Sequence, residues 1–103
     1  MPAGEESRQH IAEALGGRPR APRSDAERVE RERVHDLIQA VAACYNTLAG
    51  RETDTGRRTG LVAQLSFHDD EFRRREAMSA EERAEVLRTY PGLLDRLRAE
   101  IDE

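Results

Sequence analysis

Between Ser24 and Gly50 the apolar residues Val34, Leu37, Ile38, Val41, Tyr45 and Leu48 recur at steps of three and four. At about 100° per residue they fall within roughly 100° of arc, which is one face of an amphipathic helix. Ser24 with Glu27 three residues on has the spacing of a capping box, in which serine oxygen and glutamate satisfy orphan amides. Gly50 stands where helices commonly end in the left-handed conformation, so the pattern predicts a helix bounded by Ser24 and Gly50. Its first turns, Asp25 to Arg33, alternate acid and base, with Glu27 and Arg31 as an i,i+4 pair on a wet face. Ala42, Ala43 and Cys44 flank the stripe as small residues that admit a close neighbour.

A second stripe follows. Leu61, Leu65, His68 and Phe72 lie within about 60° on a helix that starts near Thr55 or Thr59, after a polar loop of roughly ten residues or fewer. Ser66 with Asp69 offers another cap, so a break near Ser66 competes with one continuous helix. Ser79 with Glu82 repeats the capping-box spacing and opens the last segment, where Leu87, Tyr90, Leu94, Leu97 and Ile101 keep one helical phase. Pro91 lacks an amide donor and disfavours helix at Tyr90, which predicts a kink or a break there.

The expected fold is therefore all-α: a small antiparallel three-helix bundle over residues 24–103, the last helix kinked or broken at Pro91. Residues 1–23 read as a flexible, disordered tail. Gly16-Gly17-Arg18-Pro19-Arg20-Ala21-Pro22-Arg23 forbids a helix through that point, and a short helix over Glu5 to Leu15 is marginal without support.

Composition narrows the function. At 103 residues, 37% charged, 4% aromatic and without tryptophan, the chain builds one modest core, and association is a natural supplement to it. All 17 basic residues are arginine, a bias that points to a GC-rich bacterial genome. The net charge of −4 argues against a nucleic-acid surface, and Arg57-Arg58 and Arg73-Arg74-Arg75 are offset by Asp69, Asp70, Glu71 and Glu76. The single Cys44 fits a reducing cytoplasm, and no apolar run is long enough to span a membrane.

His68-Asp69-Asp70-Glu71 is the richest cluster for chemistry, and His68, Asp69 and Glu71 are its candidate metal ligands. Glu32 and His35 mirror the spacing of His68 and Glu71, loosely like the ligands of carboxylate bundles. On the predicted helix, however, Glu32 and His35 lie more than about 120° from the centre of the stripe, where inward ligands must sit. Gly50 to Thr59 fails as a phosphate loop in both spacing and context. Cys44 has no activating neighbour, and no cofactor is implied.

The leading expectation is a non-catalytic helical protein–protein interaction module, an accessory subunit, adaptor or regulator that pairs with another protein or with itself. Its candidate contact residues are Val34, Leu37, Val41, Tyr45, Leu61, Leu65, Phe72, Leu94 and Leu97. The alternatives are a small DNA-binding transcriptional regulator and a metal-binding helical protein built on His68 and its neighbouring carboxylates.

Overall fold

The computed structural model describes residues 24–103. The tail expected over residues 1–23 lies outside them. The described chain forms α1 (Asp25–Arg51), α2 (Thr55–Arg73), a short 3-10 turn (Arg75–Ala77) and α3 (Ala80–Asp102), with no strand among these residues.

Ser24 caps α1 by accepting the Glu27 amide at 3.0 Å, while the Glu27 carboxylate takes Arg31 Nε at 2.9 Å. Gly50 does not end the helix. It keeps helical geometry, and α1 runs on to Arg51. The turn is then only three residues long, because Asp54 accepts the Arg57 amide at 2.9 Å and starts α2 directly. No break occurs at Ser66, which stands exposed in mid-helix. At the third start the capping box is complete: Ser79 Oγ accepts the Glu82 amide at 3.1 Å and the Glu82 carboxylate accepts the Ser79 amide at 2.9 Å. α3 continues through Pro91 without breaking into two helices. Proline removes the bond to the Leu87 carbonyl, but Tyr90 and Leu94 on either side are fixed in the core and carry the helix across.

α1 is the spine, and both other helices pack along it. His35, near its start, meets Phe72, near the end of α2, at 4.9 Å between ring centroids, so those two helices are antiparallel. Glu30 bonds Arg83 at 2.8 Å, and Arg51 bonds the Glu100 carbonyl at 2.7 Å, so α3 returns parallel to α1. The result is an up-down-up bundle. Val34, Leu37, Ile38 and Val41 are the most buried large side chains, joined by Tyr45 and Leu48 from α1 and by Val86, Tyr90, Leu94 and Leu97 from α3. Removing each large apolar side chain from water stabilises the fold by about 1.5–3 kcal/mol. Met78, in the link after the 3-10 turn, is also buried and plugs that end of the core.

The two flanking helices are unequally used. α3 buries Arg83, Val86, Tyr90, Leu94 and Leu97, whereas α2 buries only His68 in nineteen residues. Leu61, Leu65 and Phe72 lie against the core at its margin, half-buried.

Candidate functional site

Three places in this fold gather groups with chemical potential: a buried polar network between α2 and α3, an arginine-lined cleft, and the outer flank of α2.

The network is centred on His68. α2 turns this residue inward with its apolar stripe, and the Tyr45 ring stacks parallel to it at 5.4 Å. Tyr90 of α3 stands edge-on at 5.4 Å, with its hydroxyl 3.0 Å from His68 Nδ1. The same hydroxyl donates to Glu71 Oε1, one helical turn beyond His68 on α2. Because its proton goes to Glu71, the Tyr90 oxygen accepts from Nδ1–H, which sets the direction of the relay and the tautomer of the neutral imidazole. Burial lowers the pKa of His68, against the opposing pull of Glu71 and Asp69. Burial together with the Glu71 hydrogen bond raises the pKa of Tyr90. Both rings are thus held neutral at ordinary pH. Arg74 adds a loose cationic partner to Glu71 at 3.7 Å and reaches Glu82 of α3 at 3.3 Å.

A proton could pass along such a chain, whose central ring is buried. His68 is 5% exposed, and none of the three grooves described on this surface is lined by His68, Tyr90 or Glu71. The network is best understood as a polar rivet that fixes α2 to α3 where those helices otherwise touch little. The structure brings His68 and Glu71 together as the sequence spacing requires, and the Tyr90 hydroxyl bridges them. Asp69 lies to the side, and no group of three or more His, Cys, Asp or Glu side chains suited to a metal occurs among the described residues. Glu32 and His35 form no mirror site: His35 bonds Asp36 at 3.1 Å and packs on Phe72.

The cleft lies between the first turns of α1 and the link into α3. It encloses about 460 Å³ and is lined by Arg28, Arg31, Arg75 and Arg83 together with Glu32, Asp36 and Glu76. Its arginines are committed elsewhere. Arg83 is buried and bonds Glu30 and the Met78 carbonyl, Arg31 holds Glu27, and Arg28 holds Asp25. Arg75 lies 4.0 Å over the Phe72 ring and donates to the Phe72 carbonyl at 2.7 Å. With three carboxylates beside them, these guanidinium groups form a cross-braced end to the bundle and not a phosphate cradle.

The outer flank of α2 differs from both. Val62 is 44% and Phe67 55% exposed, and an open groove of about 560 Å³ runs past Thr55, Arg58, Thr59 and Val62 toward Glu52 and Thr53. Val62 and Phe67 point about 140° apart around α2, Phe67 standing edge-on to His68 at 5.0 Å, and Val29 of α1 is 60% exposed as well, so these are separate apolar side chains and the groove belongs to the Val62 side alone.

The nine residues expected to meet a partner divide accordingly. Val34, Leu37, Val41, Tyr45, Leu94 and Leu97 are buried inside the chain's own core and are not available to a partner. Leu61, Leu65 and Phe72 stay partly exposed on α2. Val62 and Phe67 were not among the candidates, because they lie off the main stripe. The signal that finds Val62 is a second three-four spacing, Arg58, Val62, Leu65 and Asp69, offset from the inward one. Comparison of the chain with protein families, with curated proteins and with solved structures finds no significant match, so the reading of these sites rests on their geometry alone.

Proposed function

We propose that this protein is a non-catalytic helical interaction module, an accessory subunit, adaptor or regulator that works by offering one helix to a partner. The observation that supports this is the asymmetry of α2: a nineteen-residue, well-capped helix that buries a single side chain and leaves Val62 and Phe67 in solvent. A helix of that length gains most of its stability from burying a face, and α2 buries less than its sequence makes available. The contact surface is the flank of α2, in place of the α1 and α3 stripes that the bundle consumes internally. A cytoplasmic setting belongs to the same reading and is supported by a lone, buried Cys44 without a disulfide partner. No described helix is long and apolar enough to cross a membrane.

The test combines sedimentation of the purified full chain with copurification from its native host. The module reading expects self-association or a stoichiometric partner whose binding is reduced by Val62→Glu and Phe67→Glu. A monomer that brings down no partner refutes it.

A further inference from the structure

Along the flank of α2, Thr55, Arg58, Val62, Leu65, Asp69 and Phe72 are separated by alternating steps of three and four. At about 100° per residue they fall within roughly 100° of arc, the spacing of a coiled-coil seam. Arg58 is exposed, Val62 is 44% exposed and Asp69 is partly exposed, whereas Leu65 and Phe72 lie half-buried at the margin of the core, Phe72 against His35 and Arg75, so the seam borders the core along one edge of the bundle.

Its charges are arranged about a centre. A two-fold axis between Ala63 and Gln64 exchanges Arg58 with Asp69, Val62 with Leu65, and Thr55 with Phe72. Two antiparallel copies of α2 would thus set Arg58 on Asp69 in two charged layers and Val62 on Leu65 between them, while the end layers, Thr55 facing Phe72, add no complementarity. A parallel pairing would set Arg58 on Arg58 and Asp69 on Asp69, which repel. The remaining charges on α2 point the same way. Arg57 pairs with Glu52, Asp70 with Arg73, and Glu71 with Arg74, whereas Arg58 and Asp69 make no ion pair among the described residues. The one acid and one base left over on this helix are the two that the symmetry operation brings together.

We infer that the occupant of this face is a second copy of the same chain, joined through an isologous antiparallel α2–α2 seam with Arg58 of each copy on Asp69 of the other and Val62 packed on Leu65 between them. The inference rests on the interaction-module reading and specifies its partner. An isologous contact closes on itself, so the assembly is a dimer and does not extend. The unpaired charges set orientation and register more than they add strength, and the small apolar centre makes the dimer reversible.

The experiment is sedimentation equilibrium of the full chain over a concentration series, with circular dichroism of every variant to confirm its helix content. The wild type is expected to rise from the 11.7 kDa monomer toward twice that mass. Arg58→Asp and Asp69→Arg each place two like-charge contacts in the homodimer and should each weaken it by about tenfold or more. Mixed in equal amounts, the two variants form a heterodimer in which both contacts are again complementary, and association should return to near the wild-type level. Val62→Glu puts a carboxylate into the apolar centre, one turn from Arg58, and should abolish the dimer. A wild type that stays monomeric to about 1 mM, the weak end of measurable affinity, overturns the inference. So does a dimer indifferent to Arg58→Asp or Val62→Glu, or a mixture that fails to recover. If the wild type is monomeric yet carries another protein through α2, the second-copy assignment fails and the module reading stands. If it is monomeric and binds nothing, both fail.

Discussion

Replacing Tyr90 by Phe isolates the polar rivet between α2 and α3, because it deletes one oxygen and leaves the ring in the core. In the native chain that hydroxyl donates to the Glu71 carboxylate and accepts from His68 Nδ1–H, in a setting where His68 and Tyr90 are buried and the Glu71 side chain is only 15% exposed. A hydrogen bond to a charged acceptor contributes about 1.5–3 kcal/mol, and a buried donor left unpaired costs about 1–3 kcal/mol more. His68 recovers part of the second amount by shifting its proton to Nε2, so the expected net loss is about 2–4 kcal/mol. Against the roughly 4–12 kcal/mol that a folded unit of this size holds in total, that is a large fraction. At an m-value of about 1.5 kcal/mol/M the urea midpoint should fall by roughly 1.3–2.7 M, measured by circular dichroism at pH 7 and fixed protein concentration. Glu71→Gln keeps an acceptor for the hydroxyl and should cost only about 1 kcal/mol. A Tyr90→Phe chain that loses less than about 0.5 kcal/mol would show that the hydroxyl is solvated and that the rivet has no mechanical role.

Four further outcomes follow from the same structure. The pKa of His68 lies below the 6.5 of the unfolded chain because burial disfavours the imidazolium. In the window below pH 6.5 the unfolded state therefore binds more protons, and stability should fall on acidification through it, a slope absent in His68→Gln. Tyr90 behaves oppositely: its pKa is raised above 10.0, so stability should decline as pH rises past that value, and Tyr90→Phe should remove this limb of the urea-midpoint profile. Arg83→Ala strips the buried guanidinium from Glu30 and the Met78 carbonyl and should lower stability by about 2 kcal/mol, moderated because Glu30 can rehydrate. Gly60→Ala should raise thermal stability, by about 0.5–1 kcal/mol, since an added Cβ meets nothing within 4 Å and the backbone there is already helical.

What could be read from the chain was local. Caps at Ser24 and Ser79 and the stripes through Val34–Leu48 and Leu87–Ile101 are set by neighbours within a turn or two, and the structure reproduces them. Gly50 was misread because glycine at a helix end is a permission and not an instruction: nothing forces it left-handed, and the stop comes from Asp54 opening the next helix. Ser66 gave a false break, since its cap spacing was outweighed by the continuous phase of Leu61, Leu65 and His68. Pro91 was compatible with two helices until the core held Tyr90 and Leu94 on either side of it. The candidate site was less legible, because its partners are brought together only by packing. His68 and Glu71 could be placed on one helix from their spacing, but the position of Tyr90 across from them depends on the register between α2 and α3. Sequence pattern identified which residues leave water; it did not divide them between this chain's own core and another surface.

The unequal use of the two flanking helices has a consequence for how the molecule breathes. α1 and α3 share most of the deeply buried side chains, whereas α2 is held by His68 and a half-exposed margin. Detaching α2 exposes little grease and leaves the parallel pair largely intact, so a cooperative sub-global opening should lie below complete unfolding. Deuterium should enter the amides of residues 55–67 well before those of the α1 interior. In a homodimer that same segment would be clasped from both sides, and its exchange would slow as protein concentration rises.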